Sequence, residues 1–487
     1  MKQERGRRDR PGGDQPLQGV RLACIFPPFR PLPADTGPLV LRKHSGVLPN
    51  LDLLYAAATL ERAGADVLVI DAHAGELSLE QTLQRLRAFD PACLISHLSS
   101  CLFPLSRLWL EGIKAALRCP ALVTGAHPGF YPAEMLIHPP IDAALNTDPE
   151  LALVPLVEAL LSDRPLSGVP GIAFADPEGR VSVTGEVRTS GALDTAPWPS
   201  RHLVDNARYC SSVSQHRNFT LLLTGRAPLE GGADGVLLPE KRRLRSVEAV
   251  VDELEHCQVS LGIHEVELVD PFLPDDRERL LALCGALVRR KLRIQWALHV
   301  QPEGVDRALL ETLAGAGCHR VYFSIESADE GIRRRLQRSD LSSLQQVVRD
   351  TRQLGLHTYG NFTVGLPGET RDTVWKALEL AQTLHLDDAH FSPIMPLHPN
   401  LLHLLYLSEA GRDFWRECVL QEGPGRHLYR QGTSLSEQDI LRLAREASRR
   451  FYCRPRHLAK ALLRIRSRQA LSSAFRNAWF MVAGEPA

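Results

Sequence analysis

Residues 309–336 read LLETLAGAGCHRVYFSIESADEGIRRRL, and within them HRVYFSI (319–325) is a short β run set between two helical patterns. The same unit recurs across the second half of the chain. NFTLLLT (218–224), HEVELVD (264–270), LRIQWAL (292–298), HTYGNFTVG (357–365) and DAHFSPI (388–394) are further candidate strands, each separated from the next by a helix. One of these helices starts after Arg245 and places Val247, Val250, Val251, Leu254 and Cys257 on one face. Another stops at Gly355, a residue suited to the left-handed turn that ends a helix. Six βα units predict an open, partial (β/α)6 barrel, with its chemistry at the carboxyl ends of the strands. From about residue 401 the pattern is helical only.

The first half alternates in the same way. VRLACIF (20–26), DVLVID (66–71), ACLISH (92–97) and PALVT (120–124) read as buried parallel strands. A helix begins near Asp52, and a second opens on the capping pair Ser78 and Gln81 and spaces Leu79, Leu83, Leu86 and Phe89 along one stripe. A third runs from Leu105 to Leu117 and a fourth from Glu150 to Leu161. Short strand–helix–strand connections require right-handed crossovers and a parallel sheet. The fold class is therefore α/β: a doubly wound, Rossmann-like domain over 19–165, a TIM-like partial barrel over 206–400 and a helical region over 401–487. Residues 1–18 form a polar tail, and 166–205 a linker with a small hairpin in GIAFADPEGRVSVTG.

Bulk properties narrow the function. The chain has 487 residues, 44% hydrophobic and 23% charged, with a formal net charge of zero, so no global field points to nucleic acid. No apolar run approaches the roughly 18 residues of a membrane span, and the amino terminus lacks the apolar core of a signal peptide. Ten cysteines are scattered without a C-x-x-C pair, which suggests buried thiols and a reducing cytoplasm. Residues 442–476 carry ten arginines and Lys460 against Glu446 alone, read as a solvated helix face or a docking surface.

The strand ends carry a resemblance. PNLDLLYAAATLERAGADVLVIDA (49–72), VTGAHPGFYPAE (123–134) and IDAALNTDPELALVPLVEAL (141–160) resemble cobalamin-binding domains fused to radical S-adenosylmethionine enzymes. ELVDPFLPDDRERLLALCGAL (267–287), residues 309–336 and LGLHTYGNFTVGLPGETRDTV (354–374) look like the barrel core of that family, and the likeness spans roughly 19–400. It implies cobalamin at the first domain, where Asp71, His73, Thr124, Gly125 and His127 stand at the strand ends. Asp71 to Gly75 resembles the family's Asp-x-His-x-x-Gly motif, in which the His ligates cobalt, although the glycine comes one residue early and the loop follows the second strand. A tight structural turn is the alternative for Thr124 and Gly125. In the barrel the resemblance implies S-adenosylmethionine at Glu326 and Ser327 and at Gly365 and Gly368, whose turn leaves helix-start N–H groups free. A carboxylate serving a helix start, and a turn shaping the barrel rim, are the alternatives.

The same family carries C-x-x-x-C-x-x-C after the first barrel strand, and these thiolates hold a 4Fe–4S cluster. Here the corresponding positions are Ala227, Gly231 and Asp234, and no cysteine occurs between Cys210 and Cys257. The Pro-rich run MPLHPNL (395–401) likewise departs from the family's Pro-Tyr-Pro-Gly-Thr. The expectation is a cobalamin protein without the cluster, transferring a methyl or related group to a small-molecule substrate by polar chemistry. Two alternatives stay open: a non-catalytic partner or regulator of an intact radical S-adenosylmethionine enzyme, and a redeployed site in which loop 225–235 with Lys241, Arg242 and Arg243 binds an anion; a reductase is a further candidate partner.

Overall fold

A computed structural model describes residues 15–455 apart from 29–45, 99–102, 126–127, 129–130, 137–140, 177, 186, 188–192, 212, 217, 227–242, 270–272, 274–275, 337, 339 and 395–431. His127, Ala227, Gly231 and Asp234 therefore lie outside the described residues, as do the tail over 1–14 and Lys241 and Arg242.

The first domain is built on β1 (Arg21–Phe26), α1 (Leu51–Arg62), β2 (Asp66–Asp71), α2 (Leu79–Phe89), β3 (Cys93–His97), α3 (Phe103–Ala116), β4 (Ala121–Thr124), β5 (Ala143–Leu145) and α4 (Pro149–Leu161). The Asn50 side chain accepts from Leu53 N and starts α1. Ser78 and Gln81 form the expected reciprocal capping box of α2. Leu22, Cys24 and Phe26 pack toward α1 and α4, while Ala23 and Ile25 pack toward α2 and α3, so β1 is apolar on both faces. The strand order is β2-β1-β3-β4-β5, parallel throughout, and continues antiparallel through β6 (Ile172–Ala175) and β7 (Val181–Val183). The hairpin of GIAFADPEGRVSVTG is thus an extension of this sheet, which runs past residue 165.

The second sheet is β8 (Phe219–Leu222), β9 (Glu265–Leu268), β10 (Gln295–Val300), β11 (Cys318–Glu326), β12 (His357–Val364) and β13 (Asp388–Pro393), parallel and in sequence order. The crossovers contain α5 (Val247–Leu261), α6 (Arg277–Arg289), α7 (Arg307–Gly315), α8 (Glu330–Arg335), α9 (Leu341–Gln353) and α10 (Arg371–Thr383). All six strands stand where the β runs place them, in an open half-barrel. Val266, Leu268, Trp296, Leu298, Val321, Phe323 and Phe362 face the helices. The alternate positions, Glu265, Glu267, His299, Tyr322, Tyr359 and Thr363, face the lumen.

Two features frame the lumen. At the amino end, fully buried Glu265 accepts the N–H groups of Gln215 (2.7 Å) and His216 (2.9 Å), and its other oxygen meets His319 (3.1 Å) and Arg320 (3.2 Å). Arg320 also donates to the Val213 carbonyl, so the segment before β8 floors the barrel. At the far edge, α11 (Glu437–Tyr452) covers β13, with Tyr452 OH accepting from Ala389 N at 3.3 Å.

Candidate functional site

In an open parallel sheet the ligand crevice lies where neighbouring connections leave on opposite faces, here between the carboxyl ends of β1 and β3. β3 ends in His97, paired in register with Thr124 at the end of β4. Gly125 follows with φ +115°, and a Cβ there would lie 2.6 Å from the Leu98 carbonyl and 2.7 Å from the His97 ring. Glycine is required by both the backbone and the ring beside it. His97 is 8% exposed, edge-on to Phe26 with ring centres 6.0 Å apart. Its Nδ1 lies 3.8 Å from Asp52 Oδ2 in the first turn of α1, too far for a hydrogen bond, and among the described residues that buried nitrogen has no hydrogen-bond partner. Burial lowers the His97 pKa against the opposing pull of Asp52, which keeps the imidazole neutral.

Asp71 ends β2 and His73 lies in the turn after it; β2 is an edge strand three spacings from β4, or about 14 Å at the usual strand separation of about 4.8 Å. The structure therefore does not bring them together with Thr124 and Gly125. The Asp71 carboxylate accepts from Ala74 N (2.8 Å) and from Tyr209 OH (2.8 Å), which joins the β2 turn to the segment entering the barrel. Burial pushes the Asp71 carboxyl up, against the lowering effect of those bonds.

At the carboxyl end of the barrel, Glu326 sits at φ +65°, after a register shift in β11. It accepts from Thr363 Oγ1 at 2.6 Å and pairs with Arg338 at 3.6 Å; Arg338 donates to Gln301 at 2.5 Å. Ser327 is fully buried, and its hydroxyl accepts from Asp329 N. The turn after β12 corrects one expectation. The N–H groups of Gly365 and Leu366 are not free, because the buried Glu369 carboxylate takes both, and Gly368 N donates to the Gly432 carbonyl. A Cβ on Gly365 would meet Ile440 of α11 at 2.8 Å, so this glycine also admits the covering helix.

Deeper in the lumen lies a cluster that the sequence reading missed. Glu267 binds His299 Nε2 at 3.0 Å with one oxygen and accepts from Tyr322 OH at 2.9 Å with the other. The His299 ring stacks on Tyr322 at 4.4 Å and 9°, and 42% of its side chain is exposed to the lumen. Tyr359 closes on Tyr322 at 4.9 Å. HEVELVD announced a strand, but only the strand's facing tells which of its acids points inward.

Two buried charge clusters tie the barrel to what precedes it, the first to the linker and the second to the first domain. Arg201 and Arg245 converge on Glu253 beneath β8. Arg226 and Arg243, which bracket residues 227–242, meet Asp148 and Glu150 of the first domain, with Arg226 lying over the Tyr55 ring at 4.3 Å. Arg243 is therefore held in an ion cluster, unlike the expectation that it faces an anionic substrate. In the described part of the basic carboxyl segment, Arg442 and Arg450 pair with Asp439 and Glu446 on their own helix. Among the described residues no helix is long and apolar enough to cross a membrane.

Residues 208–381 match the radical SAM superfamily model. An uncharacterized methyltransferase of Pyrococcus horikoshii is 26% identical over 460 residues, which cover 91% of this chain and 95% of that protein. Cytidylyl-2-hydroxyethylphosphonate methyltransferase of Streptomyces wedmorensis is 24% identical, over 78% of this chain and 80% of its own. The structure of the radical S-adenosylmethionine methyltransferase TsrM from Kitasatospora setae, with cobalamin and a 4Fe–4S cluster bound, is similar at a TM-score of 0.60 and 18% identity, covering 78% of this chain and 77% of TsrM. Residues 208–381 are thus similar to the radical SAM superfamily, and the two-sheet fold is similar to that of TsrM.

Proposed function

We propose that this protein is a methyltransferase that holds cobalamin at the β1/β3 crevice and S-adenosylmethionine at the barrel mouth, and works without an iron–sulfur cluster. The observation that carries the last point is the sequence itself: residues 211–256, which include the family's cluster segment, contain no cysteine. Asp234 is one hard carboxylate, and such a cluster requires several soft thiolates. Of the described cysteines in the barrel, Cys257, Cys284 and Cys318 lie in the helix-facing core, where burial pushes the thiols up, to about 11 for Cys257 and about 12 for Cys284. These residues do not fit a cluster.

The crevice does fit a large flat cofactor: Gly125 removes a side chain beside it, and His97 Nδ1 at its edge is buried with no hydrogen-bond partner among the described residues. Cobalamin, when bound, supplies a metal able to exchange a methyl group by two-electron chemistry. The remaining work belongs to the protein. Glu326 and Thr363 are suited to the hydroxyls or ammonium of S-adenosylmethionine. His299, oriented by Glu267, is suited to accept the proton that a small-molecule acceptor loses on methylation. The substrate enters from the carboxyl end of the barrel.

Reconstitution of the full chain with hydroxocobalamin, followed by gel filtration and absorption spectroscopy, tests the cofactor. A chain that elutes without corrinoid absorption defeats the reading. Iron and sulfide analysis after anaerobic reconstitution tests the cluster, and stoichiometric iron and sulfide would overturn that part alone. The lumen cluster around His299 favours catalysis over a purely regulatory role; stable co-purification with an intact homologue, and no turnover by the isolated chain, would reverse that preference.

A further inference from the structure

We infer that Tyr322 is the positioning residue of the lumen base: it holds His299 with Nε2 on Glu267, so that Nδ1 is the nitrogen that takes the acceptor's proton. The inference rests on the methyl-transfer reading above and deepens it, because it requires an acceptor whose nucleophilic nitrogen, oxygen or sulfur carries a proton. The strand register pairs His299 with Tyr322, and Tyr322 with Tyr359. His299 and Tyr322 lie on the lumen face, since Leu298, Val321 and Phe323 take the helix side. There the imidazole lies flat on the phenol ring, with centres 4.4 Å apart and planes 9° from parallel. The Tyr322 hydroxyl donates to Glu267 at 2.9 Å, and the other Glu267 oxygen meets His299 Nε2 at 3.0 Å. Ring contact and hydrogen bonds thus close a loop of three side chains. Tyr322 touches both of the others, His299 through its ring and Glu267 through its hydroxyl.

The donors around the loop set where its protons lie. Arg320 Nη1 is 3.4 Å from the Tyr322 oxygen and has only protons to offer, so the phenol proton goes to Glu267. Burial, and then the charge of Glu267, push the phenol's pKa up, which keeps that proton in place. A carboxylate only accepts, so the proton of neutral His299 sits on Nε2. The lone pair is then on Nδ1, which has no hydrogen-bond partner among the described residues, in a side chain 42% exposed to the lumen. In the reaction the acceptor's heteroatom bonds to the methyl carbon, whose bond to its donor breaks with the electron pair left on the donor. The acceptor's proton passes to Nδ1, and the imidazolium so formed is held against Glu267. An imidazole that could turn freely would present either nitrogen; the Tyr322 face removes that freedom before the acceptor arrives.

Iodoacetamide is the probe, because it alkylates the histidine nitrogen that carries the lone pair, and the two products separate by chromatography after digestion. In the full chain, at a pH where imidazole is neutral, the peptide containing His299 should be modified at Nδ1 about tenfold more than at Nε2. Tyr322→Phe keeps the ring and loses the hydroxyl, and should lower that preference severalfold; Tyr322→Leu should abolish it. Nuclear magnetic resonance of the same proteins with ring-labelled histidine gives a second reading. His299 should be a single tautomer, protonated at Nε2, in the wild type, and a mixture in Tyr322→Leu. Alkylation chiefly at Nε2 in the wild type, no alkylation of His299, or an undiminished preference in both Tyr322 variants overturns the inference. The wild type and Tyr322→Phe decide the question even where Tyr322→Leu does not fold. Neither readout needs cobalamin. A chain that takes up no corrinoid loses the methyl-transfer reading, whereas alkylation at the wrong nitrogen removes the assignment of Tyr322 and Nδ1 alone.

Discussion

Asp148, at the amino-terminal cap of α4, accepts a hydrogen bond from Arg226 Nη1 at 2.8 Å across the boundary between the two domains. Its second oxygen meets Arg243, and Glu150 lies 3.6 Å from Arg226 and 3.4 Å from Arg243. Two acids and two bases are nearly out of solvent together, so neither domain can shed its half of the cluster without burying bare charge. The two arginines are joined by a two-stranded ladder, which ties the base of segment 227–242 to the first domain.

Arg226→Ala should therefore cost about 3 kcal/mol, within the range for breaking a buried pair. It also removes the cation over Tyr55. Scanning calorimetry is the check: the variant should resolve the two domains as separate melting events. An unchanged single transition would show that the cluster does not hold the domains together.

A second cluster predicts a larger response. Burial works to raise the Glu253 carboxyl, but Arg201 and Arg245 outweigh it and hold it below the ordinary range. Glu253→Gln leaves two buried guanidinium groups facing each other and should destabilise by about 4 kcal/mol in urea unfolding. The combined Arg201→Met, Glu253→Leu and Arg245→Met replacement should be much milder, because no charge is left unpaired.

Glu369 gives stability a pH dependence of the opposite sign. Burial pushes its carboxyl up to about 7, against two backbone N–H donors that lower it. An acid whose pKa is raised on folding contributes most below its unfolded value, and that contribution is lost as pH climbs through about 7. The loss amounts to about 3 kcal/mol across that window. Thermal melts of the wild type should show it between about pH 4.5 and 7, and Glu369→Gln should flatten the profile. A wild-type profile that rises through this range would contradict the assignment.

For the barrel mouth, Glu326→Ala should weaken S-adenosylmethionine binding about tenfold in equilibrium dialysis, the loss expected for one charge-assisted hydrogen bond of about 1.5 kcal/mol. Thr363→Val should have a smaller effect in the same direction, because it removes only the donor that fixes the carboxylate. Equal binding in all three proteins would assign Glu326 to the fold.

Strands were legible in the sequence wherever β-branched or apolar runs ended in turn residues, which covers β1 to β4 and the whole half-barrel. β5 was not, because Ala143, Ala144 and Leu145 carry almost no strand signal and are held by burial and pairing with β4 and β6. Within the site, Glu326 could be placed because a strand end is a position along the chain. His97 could not, since its importance comes from β1 lying beside β3, a neighbour relation that no local pattern encodes. Glu267 and His299 were hidden for a related reason: they meet across strands, 32 positions apart in sequence.

Glu265, with its grip on Gln215 and His216, has one more consequence. It makes the lumen a blind well. Among the described residues the amino end is floored, which leaves the carboxyl end for both entry and exit. On the proposed function, reactant and product then queue instead of passing through, and product release becomes a natural place for the turnover rate to be set.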